Sequence, residues 1–248
     1  ILFTCGGTAG HVNPAVALAR IFQERNPDCK VLFVGADGGM ENHLVPKEGY
    51  EIRSVTITNF HRSFAPADIA HNLGTVRNMV RSKQQAARIL DEFQPDLVVG
   101  TGGYASYPVV KEAARRHIPT AIHESNAVPG LTTKGLSKVV DRVMVGFEES
   151  RSHYDHPEKV VVTGTPVRGD FFRYTRQEAR EKLGLTDERP LLLSYWGSLG
   201  AEVMNGYMTD FIRRAVREGA PFHHIHGAGR DYRAVLDALE TAQGGLDA

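Results

Sequence analysis

Apolar residues in this chain fall in short continuous runs, separated by longer stretches where apolar and polar positions recur every three or four residues. The runs lie at 1–4, 31–34, 52–56, 96–100, 120–122, 142–145, 160–162, 191–195 and 221–225, and most are built from Val, Ile, Leu and Phe without polar alternation. Strands buried on both faces of a sheet show this pattern. The segments 14–24, 73–93, 109–116 and 202–218 carry the amphipathic spacing of helices packed on a sheet. Such alternation of strand and helix predicts an α/β chain of doubly wound, parallel-sheet type.

Most of these predicted strands precede residue 163, enough for a complete domain over 1–162. The turn-forming run Thr163-Gly164-Thr165-Pro166-Val167-Arg168 then breaks the alternation and leads into a polar stretch. Only two strands follow, where a doubly wound domain wants about five or six. Residues 163–248 therefore read as a partial second domain. Ile1 already stands in an apolar run, so the sequence reads as beginning just after the true N-terminus.

Charge narrows the function classes. The 248 residues hold 29 Lys and Arg against 29 Asp and Glu, which excludes a general nucleic-acid binder with its basic excess. A hydrophobic share of 42% and a charged share of 23% are ordinary for a globular protein. No run approaches the ~20 apolar residues of a spanning helix, and no signal peptide opens the chain. Cys5 and Cys29 form neither a metal nor a disulfide pattern, which suits a reducing cytosol.

Three glycine-rich loops each follow a predicted strand and open a helix: Cys5-Gly6-Gly7-Thr8-Ala9-Gly10-His11, Gly100-Thr101-Gly102-Gly103-Tyr104-Ala105-Ser106, and Trp196-Gly197-Ser198-Leu199-Gly200-Ala201. Glycine lets a backbone approach an oxygen-rich ligand, and the following helix offers unpaired N–H groups. A single loop of this kind is also an ordinary tight βα turn; three of them suggest two anionic ligands. A dinucleotide oxidoreductase is the rival reading. Its fingerprint needs glycine where Cys5 stands, and Asp37 lies 27 residues past Gly10, beyond the usual ~20.

His11 stands where a helix begins; it either packs there or acts as a general base, for which a helix start favours the neutral ring. His123-Glu124-Ser125-Asn126 follows a strand, where open α/β sheets place ligands, and is otherwise a surface loop. Arg168 is a solvated arginine or a fork for a diphosphate. His223, His224 and His226 lack a further ligand placed by spacing, so no metal site is read there, and Glu148-Glu149 lacks the partner acid of a glycoside hydrolase. Within 73–93, Arg77, Arg81 and Arg88 form a stripe with Val76, Met79, Val80, Ala87 and Leu90 on the other side. The stripe is a solvated face or, with Phe60, Arg62 and Phe64 upstream, a contact for anionic lipid.

Taken together, these motifs resemble one family: the bacterial transferase that converts lipid I to lipid II in peptidoglycan synthesis. The matching runs are Gly6 to His11 with Pro14, Gly102-Gly103-Tyr104 with Ser106 and Pro108, His123 to Asn126 through Pro129-Gly130-Leu131-Thr132, Gly164 to Arg168, and Gly197 to Ala201 with Asn205. They cover essentially the whole chain in the family's order. Ala9, Ser125, Thr165 and Trp196 depart from the family's usual glycine, glutamine, asparagine and glycine.

The resemblance implies a GT-B architecture of two Rossmann-like domains, with the acceptor on the N-terminal one and the nucleotide sugar on the C-terminal one. It implies inverting transfer of N-acetylglucosamine from UDP-GlcNAc to undecaprenyl-pyrophosphoryl-MurNAc-pentapeptide, without cofactor or metal. His11 would be the base. Thr8, Gly10, Gly103, Tyr104 and Ser106 would face the acceptor, Asn126 the transferred sugar, and Arg168 and Ser198 the UDP phosphates. A peripheral location on the cytoplasmic face of the plasma membrane follows, with anionic lipid and the proteins of cell-wall synthesis and division as partners and no nucleic acid. The family's later donor motifs lie beyond residue 248, so residues 1–248 alone are expected to be inactive. An acceptor-binding, membrane-docking subunit of a split transferase and another GT-B glycolipid transferase are the alternatives.

Overall fold

The computed structural model describes all residues except 59–65, 197–201, 230–231 and 242–248. The chain divides into two compact units, Ile1–Arg173 and Tyr174–Ala248.

The first unit is a seven-stranded parallel sheet. Its strands are β1 (Leu2–Thr4), β2 (Leu32–Ala36), β3 (Glu51–Val55), β4 (Val98–Gly100), β5 (Thr120–Glu124), β6 (Arg142–Val145) and β7 (Val160–Val162), in spatial order β3-β2-β1-β4-β5-β6-β7. Side chains alternate between two apolar layers. Leu2, Leu32, Val34 and Val98 face a cluster with Ala86, Leu90, Val109 and Ala113, from helices α3 (Pro66–Phe93) and α4 (Ser106–Arg115). Phe3, Phe33 and Val99 face Val12, Val16, Ala19 and Val45, from α1 (Ala9–Arg25) and α2 (Glu41–Lys47). Both faces of the central strands β1, β2 and β4 are covered, which is why they read as unbroken apolar runs. A shorter helix α5 (Leu131–Ser137) follows β5.

Chain order reverses between β1 and β4, whose ends stand side by side with Thr4 opposite Gly100. Open α/β sheets bind ligands outside the carboxyl ends of strands at such a switch point. The first two glycine loops leave the sheet there.

The segment expected to begin the second domain belongs to the first unit as far as Arg173. Tertiary bonds outweigh its turn chemistry: His123 donates to the Gly164 carbonyl at 3.0 Å, and Arg168 pairs with Glu48 at 3.1 Å. The second unit contains α6 (Arg176–Lys182), α7 (Glu202–Arg217), α8 (Tyr232–Thr241) and a parallel pair, β8 (Leu191–Tyr195) and β9 (His223–Gly227).

Helix α3 differs from its sequence reading. Its buried side includes Thr75, Ser82, Ala86, Ile89 and Leu90, whereas Val80 is 59% and Met79 38% exposed. Arg77, Arg81 and Arg88 are exposed, as a basic stripe requires. Phe60, Arg62 and Phe64 lie outside the described residues.

Candidate active site at the sheet switch point

The first loop turns directly into α1. Gly7 has φ +85°, a left-handed conformation that glycine adopts without the Cβ clash of other residues. Thr8 is the extended N-cap, with φ −145°, and its side chain makes no capping bond. The first amides of a helix lack intrahelical partners, so the N–H groups of Ala9 and Gly10 are donors suited to an anion. The helix begins at Ala9, two residues before His11, so Pro14 sits inside it, where its missing N–H leaves the Gly10 carbonyl without its helical donor.

The second loop closes onto the first. Gly103, with φ +82°, passes so near Gly6 that an added Cβ would stand 2.2 Å from the Gly6 carbonyl oxygen. Gly102, with φ +115°, supports the imidazole of His11; a Cβ there would lie 2.5 Å from its Cδ2 and 2.9 Å from its Nε2. The Thr101 hydroxyl donates to the His11 carbonyl at 2.6 Å. Backbone and side chain of His11 are thus held from both loops.

The ring's tautomer follows from its neighbours. His11 Nδ1 lies 2.7 Å from the Gly6 carbonyl oxygen, which can only accept, so Nδ1 carries the hydrogen. In the neutral ring Nε2 then holds the lone pair, the form a proton acceptor needs. Thr8 Oγ1 stands 3.4 Å from the same Nδ1.

Among the other expected acceptor residues, Tyr104 is 36% exposed beside Gly7, and a Cβ added at Gly10 would stand at ordinary contact distance, 3.5 Å, from Thr8 Oγ1. Ser106 is different. It is buried and its hydroxyl bonds to the carbonyls of Thr4, at 3.0 Å, and Gly102, at 2.8 Å. Its hydrogen is committed within the fold, so Ser106 fastens the second loop to β1 instead of facing a ligand.

The loop after β5 is organised by Glu124. Its Oε1 accepts from the Asn126 backbone at 3.0 Å and the Asn126 side chain at 2.7 Å, and its Oε2 accepts from Gly130 N–H at 3.0 Å. Burial is the strongest single influence and would raise this carboxyl, but the bonds from Asn126, Thr133 and Gly130 together hold it below its ordinary range. Asn126 is exposed, with its amide oxygen left as an acceptor. His123 is buried, which lowers its imidazole against the opposing pull of the Gly164 carbonyl and Glu124.

Arg168 reaches Glu48, whose other oxygen is held by Arg20. Ser198 and the rest of the third glycine loop, 197–201, lie outside the described residues. On β9, no metal-type group of three or more His, Cys, Asp or Glu occurs among the described residues. A directed hydrogen-bond chain stands there instead. His226 Nε2 meets the Asn205 amide oxygen at 3.2 Å and so is the donor, leaving its Nδ1 to accept from Ser194 at 2.9 Å. Ser194 Oγ in turn accepts from His224 Nε2 at 2.8 Å, and Asn205 continues the chain to the Ala228 carbonyl at 3.0 Å.

One residue of the site escaped the sequence reading. Glu41 opens α2, is fully buried, and accepts from Gly7 N–H at 3.2 Å and Ala36 N–H at 2.8 Å. The glycines at 35, 38 and 39, crowded before a lone acid, were the available signal.

Residues 1–145 match the glycosyltransferase family 28 N-terminal domain. A relative from Acetivibrio thermocellus is 39% identical over 240 residues, and one from Thermoanaerobacter sp. is 41% identical over 240 residues. Both are named UDP-N-acetylglucosamine--N-acetylmuramyl-(pentapeptide) pyrophosphoryl-undecaprenol N-acetylglucosamine transferase. The matches cover 96% and 97% of this chain and 64% of each relative, so the chain spans about two thirds of their length. Among solved structures, Acinetobacter baumannii MurG superposes with TM-score 0.66 at 26% identity, covering 99% of this chain and 65% of that one. A Neisseria meningitidis UDP-GlcNAc 2-epimerase, at TM-score 0.57 and 14% identity over 97% of this chain and 69% of its own, shares the fold.

Proposed function

Because the chain belongs to glycosyltransferase family 28, we propose that it serves the transfer of N-acetylglucosamine from UDP-GlcNAc to the muramoyl sugar of lipid I, giving lipid II. The observation that carries this reading is the imidazole of His11, pinned between two glycine loops at the β1–β4 switch point with Nε2 left to accept a proton.

In this mechanism His11 Nε2 takes the proton of the acceptor's C4 hydroxyl as that oxygen bonds to the anomeric carbon. The bond from that carbon to the diphosphate breaks on the opposite side, and UDP leaves with the electron pair. The acceptor's own diphosphate rests on the amides that open α1, beside Thr8, Gly10, Gly103 and Tyr104. Asn126 meets the transferred sugar. Arg168 and Ser198 meet the UDP phosphates, for which Arg168 must leave Glu48, its half-buried partner at 3.1 Å. Ser106 acts as a positioning residue. No cofactor or metal enters the scheme.

The lipid-linked acceptor calls for a membrane surface. Among the described residues no helix is long and apolar enough to cross a membrane. The exposed Arg77, Arg81 and Arg88 of α3 suit peripheral contact with anionic lipid; beside them a cavity of about 720 Å³ is lined by Met79, Tyr107, Ile118, Lys83 and Lys111 and by the acids Glu112 and Asp141.

The test is incubation of the gene product with UDP-GlcNAc and lipid I, with lipid II read by mass spectrometry. His11→Ala should lower turnover by about 10²–10⁴. Transfer to a glycolipid lacking the muramoyl sugar, with none to lipid I, would replace this acceptor assignment; turnover unchanged in His11→Ala would remove the base role.

A further inference from the structure

Glu41 is a buried carboxylate with no place in the mechanism above, and no ion pair to it occurs among the described residues. We infer that Glu41 is the positioning residue of His11 and acts through the peptide group joining Gly6 to Gly7. This rests on His11 being the base of the proposed transfer.

Two side chains grip opposite ends of that one peptide. Glu41 Oε2 accepts from the Gly7 N–H at 3.2 Å, and His11 Nδ1–H donates to the Gly6 carbonyl at 2.7 Å. The peptide is trans and conjugated, so its N–H and C=O point in opposite directions and share one electron system. A carboxylate accepting at the N–H raises the electron density on the carbonyl oxygen, and successive hydrogen bonds polarise one another in this way. The bond to the imidazole is thereby strengthened, Nδ1 is held as the protonated nitrogen, and Nε2 is left to receive a proton. When it does, the imidazolium charge is balanced by Glu41 across the peptide. In a Ser-His-Asp arrangement the carboxylate touches the imidazole directly; here a backbone amide stands between them.

The surroundings are built to admit this carboxylate. A Cβ at Gly6, Gly35 or Gly39 would stand 2.7, 2.4 or 2.3 Å from Glu41 side-chain atoms, so glycines from the first loop, from β2 and from the turn after β2 clear its volume. The left-handed Gly7 belongs to the same gripped peptide. Gly103 packs on the Gly6 carbonyl from the second loop. The Cys5 thiol is pushed far up by burial and by the Glu41 charge, so it stays neutral.

Glu41→Gln separates this role from mere fastening of β1 to β2. An amide offers one acceptor oxygen where the carboxylate offers two. If that oxygen keeps the shorter bond to Ala36, the NH2 group opposes the Gly7 N–H and the peptide must turn. Long-range nitrogen–proton NMR on the 248-residue chain should show the Nδ1–H tautomer of His11 in the unaltered protein and a rise of the Nε2–H tautomer in Glu41→Gln. In the gene product, kcat should fall about 10²-fold, the loss typical of a small misplacement in an active site, with the KM for UDP-GlcNAc nearly unchanged and a loss larger than any fall in the folded fraction. An Nε2–H tautomer in the unaltered protein would overturn the inference, as would a variant with unaltered tautomer and kcat. A kcat loss that merely follows the folded fraction would overturn it too. Should Glu41→Gln fail to fold, the tautomer of the unaltered chain decides. Absence of lipid II synthesis by the unaltered gene product would instead defeat the proposed function, while the NMR experiment still tests the coupling.

Discussion

Gly103→Ala is the substitution that probes the contact between the two loops. Two costs combine at this position. The backbone is left-handed at φ +82°, which costs a residue with a Cβ about 1–2 kcal/mol. The added methyl would also stand 2.2 Å from the Gly6 carbonyl oxygen. Ordinary contact between such atoms is about 3.3 Å or more, so the loops must part by about 1 Å. Gly49 provides the control. Its φ is +87°, yet nothing lies within 4 Å of the Cβ it would gain. Gly49→Ala should therefore show the conformational cost alone, a fall of about 2–8 °C in melting midpoint for a unit of this size. Gly103→Ala should fall further and, because the Gly6 carbonyl anchors His11, should lose about 10²-fold in turnover. Differential scanning calorimetry on both variants and transfer kinetics on the gene product provide the comparison. Equal melting shifts, with turnover preserved in Gly103→Ala, would refute the loop-contact argument.

Three further outcomes follow from other parts of the molecule. Glu112 is buried between Arg115 and Arg116, whose bonds to it outweigh the burial penalty and hold its carboxyl down to about 2; the stability this contributes is complete above the unfolded value near 4.5 and fades as pH falls towards 2. Urea denaturation across that window should show an acid slope in the unaltered chain and a flatter one in Glu112→Gln, which should also be about 1–3 kcal/mol less stable at pH 7; identical slopes would sink the assignment. Burial and then the neighbouring His226 lower the His224 imidazole, so the unfolded chain takes up its proton first and the second unit should lose stability as pH drops below about 6.5. Amide exchange in β8 and β9 that shows no acceleration on acidification would contradict this. Reversing Arg77, Arg81 and Arg88 to glutamate should release the protein from anionic vesicles without altering its melting midpoint, each charge contributing about 1 kcal/mol to the attraction; unchanged co-sedimentation would exclude α3 as the contact.

The central strands were legible because a parallel sheet covered on both faces needs unbroken apolar runs, as 31–34 and 120–122 show within a residue or two of β2 and β5. The first two glycine loops were legible as places, but the reason for Gly103 was not. Its need arises from Gly6, far away in sequence, and only the strand order brings the two together. The amphipathic spacing of α1 was legible only over 14–24, and His11 was placed where the helix begins; Thr8 is in fact the N-cap and the helix opens at Ala9. The domain junction at 162 followed local turn residues; bonds from His123 and Glu48 carry the first unit on to Arg173. Ser106 looked like a ligand contact beside Tyr104, and its burial depends on how the loop folds back over β1. Glu41 was missed for a related reason. An isolated acid has no signature, and its surroundings are assembled from three separate backbone segments.

The strand order also sets a timetable for synthesis. β1 is central, and one of its two neighbours is β4, with Leu2 opposite Val98. At about 5–20 residues per second, a ribosome takes roughly 5–20 s to deliver that partner. Through this interval Leu2 and Phe3, both fully buried at the end, have only β2 to pair with on one side. Non-local parallel pairing of this kind is slow and exposes sticky edges. Until about residue 103 has emerged, the nascent chain thus carries that strand edge unpaired, and the same moment is the earliest at which His11 can find its place.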